Sequence, residues 1–230
     1  MNYIFSALFG YLIGSLPTAY LLLKKTHGID ITQNGSGNVG AMNSFNVSKS
    51  KRIGLYVFLI DAAKGFLSSI IAYYLVEESF IIAITSLTAS VFSHCYSPWI
   101  KFKGGRGLAT AAGGAFFISL PVLAVWAVNW TAIYLFSKSI YLGNFMATLF
   151  TAISAFVLAQ MLIMYSFLKP YSIEQFSYAV SILMLIILSK HIIPMRDYIR
   201  APLKTFVLKY FIPQSGTKEI DIFRGDNKNI

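Results

Sequence analysis

The stretch IGLYVFLIDAAKGFLSSIIAYYLV, from Ile53 to Val76, decides the fold class. As a helix rising 1.5 Å per residue it would extend about 36 Å, enough to cross a hydrocarbon layer roughly 30 Å thick. Runs of the same character recur from the N-terminus to about Ile193, each bounded by a short polar stretch. The chain is 56% hydrophobic and only 12% charged. A soluble domain carries about a quarter charged residues, so this chain is short of solvated surface. The pattern predicts an all-α, polytopic membrane bundle over residues 1–193, followed by a basic, partly amphipathic tail over residues 194–230.

Spans are expected at residues 3–23, 53–76, 80–100, 108–120, 121–136, 140–168 and 173–189. Pro121 divides the fourth from the fifth, because proline lacks the N–H and clashes with the preceding turn. Lys24, Lys25, Lys49, Lys51 and Arg52 lie between the first two spans, with Asp30 as the lone acid. The positive-inside rule therefore puts that loop in the cytoplasm and the N-terminus outside. Lys101, Lys103 and Arg106 then fall inside. The tail from Lys190, with eight basic residues against four acidic, also falls inside when there are about seven spans. The net charge of +10 thus reads as topology and attraction to anionic headgroups, not as nucleic-acid binding. Cys95 is the single cysteine, which excludes an intramolecular disulfide. No metal or cofactor motif is visible.

Two cytoplasmic loops carry the chemistry. The first contains Gly35-Ser-Gly-Asn-Val-Gly-Ala-Met-Asn43. Gly35, Gly37 and Gly40 formally spell a dinucleotide fingerprint, but no strand precedes them and no soluble βαβ unit surrounds them. Glycines still let backbone N–H groups converge on an anion, and Ser36, Asn38 and Asn43 add side-chain hydrogen bonding. The second loop, Lys101-Phe-Lys103-Gly104-Gly105-Arg106-Gly, sets two cations around a glycine pair just before a helix, whose free N–H groups also favour an anion. The small residues Ala109 to Gly114 suit close helix packing. Within the second span, Asp61 and Lys64 are three residues apart and share a helix face. Ionisable residues at that depth are costly and mark functional or supporting positions.

Gly14-Ser-Leu-Pro-Thr-Ala-Tyr20, the Gly35–Asn43 segment, Asp61-Ala-Ala-Lys-Gly65, and His94 through Pro98 to Phe102-Lys-Gly-Gly-Arg-Gly-Leu-Ala-Thr110 together resemble the bacterial glycerol-3-phosphate acyltransferases that use acyl-phosphate. The resemblance implies a seven-helix enzyme of the plasma (inner) membrane with its active site at the cytoplasmic face. It would transfer a fatty acyl group to the 1-hydroxyl of glycerol 3-phosphate, giving lysophosphatidic acid for phospholipid synthesis. It implies Ser36, Arg106 and His191 as catalytic residues. Gly35, Gly37, Asn38, Gly40, Asn43, Lys103, Gly104 and Gly105 would bind the phosphates, with Asp61, Lys64 and His94 behind them. None of the three histidines begins an H-x-x-x-x-D motif, so the activated donor must supply much of the driving force.

The chain also departs from the family pattern. Arg106 replaces a lysine, Asn46 an arginine, Tyr141 a serine, Pro194 an asparagine and Asp197 an arginine. These departures define the competing expectations: a re-purposed relative that binds phosphorylated lipid, or, on Asp61 and Lys64 alone, a transporter.

Overall fold

A computed structural model describes residues 1–200. Most of the basic, partly amphipathic tail expected over residues 194–230 lies outside the described residues. Clustering of contacts divides the chain into Met1–Met195 and Arg196–Ile230; within the second unit, Arg196 and Asp197 form an exposed pair at 3.2 Å.

All regular structure among the described residues is helical. The elements of the first unit are α1 (Asn2–Ser15), α2 (Thr18–His27), α3 (Ala41–Ser48), α4 (Lys51–Leu75), α5 (Phe80–Cys95), a 3-10 turn (Pro98–Ile100), α6 (Leu108–Ile118), α7 (Leu120–Ser137), α8 (Ile140–Val157), α9 (Ala159–Met164) and α10 (Ile173–Ser189). Side-chain hydroxyls cap three of them: Ser50 accepts from the Ile53 N–H, Ser139 from Leu142 and Ser172 from Gln175.

Five helical segments are long and apolar enough to cross a membrane: Asn2–His27, Lys51–Leu75, Phe80–Ile100, Leu120–Ser137 and Ile140–Val157. α10, with 17 residues and about 25 Å of helix, is a further apolar helix approaching that length. About seven spans are expected from the sequence; by length and composition the described helices supply five or six. The segment at 108–120 does form a helix, but α6 has only 11 residues, about 16 Å, half a hydrocarbon layer. Its end has a local cause. Pro121 has no N–H to return to Phe117, so α6 stops at Ile118 and the next helix begins at Leu120. The Ser119 and Ser166 hydroxyls pair at 2.6 Å at this break. Two other expected spans are interrupted, at Leu16–Pro17 and at Leu158.

Glycine sets the two closest helix contacts. A Cβ on Gly10 or Gly14 would run into the Ser86 and Ser90 carbonyls, so α1 lies flush on α5. A Cβ on Gly65 would strike the Thr110 carbonyl, and one on Gly113 the Ala62 carbonyl, so α4 lies flush on α6. Small residues at such contacts are how helices gain dispersion energy in lipid, where apolar surface gains nothing from leaving water. Buried side chains concentrate on α5 and α10, including Leu87, Val91, Phe176, Leu183 and Ile187. α7 is peripheral: Val122 is its one buried residue. It is tied to α8 by Trp126 Nε1 donating to Thr148 Oγ1 at 3.1 Å and Trp130 Nε1 donating to Asn144 Oδ1 at 2.7 Å.

Candidate active site

The first loop folds around its own side chains. Asp30 Oδ1 accepts from the Thr32 N–H at 3.0 Å and from the Thr32 hydroxyl at 2.7 Å. The Thr32 hydroxyl holds the Asp30 carboxyl below its ordinary pKa, aided by the charges of Lys24 and Lys103. Gly35 and Gly37 turn the chain with φ of 61° and 69°, values that only glycine adopts without strain. Asn43 then closes the loop. Its Oδ1 accepts from the Ser36 N–H at 3.0 Å, and its Nδ2 donates to the carbonyls of Asn34 at 3.0 Å and Asn38 at 2.9 Å. The Asn43 amide was expected to be among the phosphate ligands; it is buried and committed to loop backbone. Ser36 is exposed, and its hydroxyl has no bond to the second loop among the described residues.

The second loop is packed against α5. The Gly105 N–H donates to the His94 carbonyl at 3.1 Å. Gly104 and Gly105 are both buried. A Cβ on Gly105 would collide with His94 Nε2, and one on Gly104 with the His94 carbonyl. Gly107, with φ of 82°, precedes α6. The two loops are stitched together where the Val39 N–H donates to the Gly104 carbonyl at 3.3 Å. The segment ahead of the second loop is fastened to α1, since Ser97 Oγ donates to the Ser15 carbonyl at 2.6 Å and Trp99 Nε1 to Ser15 Oγ at 3.0 Å.

Behind the loops lies the buried cluster. Lys64 Nζ donates to Asp61 Oδ1 at 2.8 Å and to the Leu16 carbonyl at 2.6 Å. His94 Nδ1 stands 3.7 Å from the same carboxylate oxygen. The pair expected on one face of α4 is therefore present, and His94 joins it to the second loop.

Arg106 reaches the other way. Its Cζ lies 5.7 Å over the ring of Tyr141 at the start of α8. Burial lowers its pKa, with Tyr141 acting against the shift. Its charge is felt at Lys190 and His191, which follow α10 directly. Lys190 escaped the sequence reading, hidden as one more cation of a basic tail. Its Nζ sits 4.6 Å over the ring of Tyr96, whose hydroxyl shares a 2.6 Å hydrogen bond with Ser189. Burial lowers its pKa, and Arg106 adds to the effect while Cys95 opposes it. Arg106 and Lys190 are both partly desolvated and repel each other, which favours an anion near them. Lys103, by contrast, is exposed and lies toward Asp30.

His191 is 1% exposed. Its Nδ1 lies 2.9 Å from the Ile187 carbonyl, which can only accept, so Nδ1 carries the proton and Nε2 presents a lone pair. Nε2 is buried without a hydrogen-bond partner among the described residues. Burial pushes the His191 pKa down to about 4, with Arg106 contributing and the Ile187 bond opposing. The folded value lies below the ordinary value of 6.5, so below pH 6.5 the unfolded chain binds a proton that the folded one refuses. Stability is full above that pH and falls as pH drops toward about 4. Thermal melts of the detergent-solubilised protein will show this decline, and His191→Gln will flatten it. Equal slopes for parent and variant would remove His191 from the account.

Comparison with known proteins follows the same residues. The family model described as glycerol-3-phosphate acyltransferase matches residues 4–200. The chain is 36% identical over 149 residues to glycerol-3-phosphate acyltransferase 2 of Thermotoga maritima, covering 65% of this chain and 75% of that one. It is also 36% identical over 158 residues to glycerol-3-phosphate acyltransferase of Aquifex aeolicus, covering 68% and 81%. Among solved structures it resembles PlsY (YgiH), an integral membrane glycerol 3-phosphate acyltransferase. The glycerol 3-phosphate form gives a TM-score of 0.68 at 30% identity over 89% of this chain and 94% of that one. The lysophosphatidic acid form gives 0.69 at 30% identity, over 86% and 92%.

Proposed function

Because the chain belongs to the glycerol-3-phosphate acyltransferase family, we propose that it is a multi-pass membrane enzyme that acylates glycerol 3-phosphate to lysophosphatidic acid. The acyl donor in this reading is acyl-phosphate, and the loops face the cytoplasm at the plasma membrane. The observation that carries the reading is local. Two glycine loops are stitched at Val39–Gly104, and the charge of the partly buried Arg106 beside them reaches Lys190 and His191, whose Nε2 has no hydrogen-bond partner among the described residues.

Each group then has work to do. The glycine-loop amides, with Ser36 and Asn38, hold and polarise the acyl-phosphate, and Asn43 keeps those amides in place. Lys103, Arg106 and Lys190 neutralise phosphate charge. The acceptor hydroxyl oxygen attacks the acyl carbonyl carbon and forms the ester. The bond from that carbon to the phosphate oxygen breaks, and its electron pair leaves with inorganic phosphate. The hydroxyl proton passes to His191 Nε2 and then to the departing phosphate. An acyl-phosphate is activated already, so positioning and charge neutralisation supply most of the rate. The acyl chain suits the apolar groove lined by Leu8, Tyr11, Thr88, Phe92, Ile182 and Ile186. Phe92 and Ile186 lie one helical turn before Tyr96 and Lys190. Pro194, which replaces an asparagine of the family pattern, falls in the first turn of the helical residues 192–200, where a missing N–H breaks no intrahelical bond.

The test is acyl transfer by purified protein from palmitoyl-phosphate to radiolabelled glycerol 3-phosphate. Lysophosphatidic acid and phosphate should appear in equal amounts. Arg106→Ala should lower the rate by about 100-fold or more, the scale of losing one charge-stabilising donor, and Ser36→Ala should lower it too. Folded protein that binds palmitoyl-phosphate yet makes no lysophosphatidic acid would overturn the reading in favour of a re-purposed relative.

A further inference from the structure

Two departures from the family pattern, Arg106 and Tyr141, touch each other. Arg106 Cζ lies 5.7 Å over the Tyr141 ring although 35 residues of chain separate them. The half-buried guanidinium thus bridges from the second loop to the start of α8, where Tyr141 also acts on its charge. The backbone beneath it is fixed by Gly105 against His94 and by Gly107 in a left-handed turn. The freedom that remains to Arg106 is in its side-chain torsions, and a phosphate clamp with free torsions is a poor one.

The start of α8 is built as a platform for those torsions. Ser139 caps the helix by accepting from the Leu142 N–H at 3.3 Å. Trp130 Nε1 donates to Asn144 Oδ1 at 2.7 Å. A Cβ on Gly143 would lie 3.1 Å from that same indole nitrogen, so the turn carrying Tyr141 is pressed against α7 on its other side. A planar guanidinium stacks on an aromatic face in a way that a compact ammonium does not reproduce.

Resting on the acyltransferase reading, we infer that Tyr141 is a positioning residue for Arg106. Its ring face fixes the plane of the guanidinium so that the two act as one unit in binding the substrate phosphate.

A double-substitution cycle decides it. Tyr141→Leu should lower kcat/KM about tenfold, chiefly through the KM for glycerol 3-phosphate. Tyr141→Phe, which keeps the ring, should recover most of that loss. Arg106→Lys keeps the charge and a measurable rate, and after it Tyr141→Leu should cost less than about threefold. Equal costs in both backgrounds, or failure of Tyr141→Phe to recover the loss, would overturn the pairing. The same five proteins, the parent included, are also scored by thermal stabilisation with inorganic phosphate, which needs no turnover. If the parent makes no lysophosphatidic acid, the acyltransferase reading falls. The pairing then stands or falls on whether Tyr141→Leu weakens phosphate stabilisation only when Arg106 is present.

Discussion

Lys64→Met will destabilise the bundle by about 3–5 kcal/mol, the usual consequence of leaving one buried charge without its partner. The side chains of Lys64 and Asp61 are 6% and 3% exposed, so water cannot take over. With folding stabilities of about 5–15 kcal/mol, such a loss will shift the melting transition far down or prevent accumulation in the membrane. Removing both charges together, as Asp61→Leu with Lys64→Met, will recover most of the loss, because no lone charge then remains buried. The Leu16 carbonyl loses one donor in either case but keeps the Thr18 N–H at 3.0 Å. Melting curves for the two single variants and the double variant give the comparison. A double variant as unstable as Lys64→Met would mean that the pair does something other than neutralise itself.

Gly105→Ala will leave the protein folded and lower acyl transfer by about 100-fold, the scale expected when reacting groups are misplaced by an ångström. The new methyl meets the His94 ring on one side and, at 2.9 Å, the Val39 carbonyl on the other. One neighbour is clamped near Asp61 and the other is backbone, so the two stitched loops must part. Gly40→Ala is the informative contrast. Its methyl would meet Asn38 Nδ2 at 3.0 Å, the end of a side chain that can swing aside, and its extended backbone suits any residue. Its loss of activity will be much the smaller. Similar losses in both variants would show that the loops tolerate parting and that the geometry at Val39–Gly104 is not what matters.

The helices and both loops could be read from the sequence because their signals are local. Apolar runs announce helices in lipid, and closely spaced glycines announce tight loops. The Asp61–Lys64 pair was legible for the same reason, since three residues on a helix is a fixed distance. Asn43 was read as a ligand because nothing in its neighbourhood reveals that Asn34, Ser36 and Asn38 will consume its amide. Lys190 was missed because its significance depends on Tyr96 and Arg106, far away along the chain. The half-length of α6 was foreseeable from Pro121, but its consequence for the span count depended on where the preceding helix begins.

The interruption at Leu16–Pro17 has a consequence for how this protein tolerates variation. The contribution of residue 16 to the buried cluster is a carbonyl oxygen, which every amino acid owns, while the leucine side chain is 52% exposed. Position 16 can therefore change its side chain freely and still supply Lys64 with the same oxygen. A comparison of substitutions across relatives would rate it dispensable. Pro17 is the residue that leaves this part of the chain outside regular helix, so the history of selection on that oxygen would be written one position downstream of the atom itself.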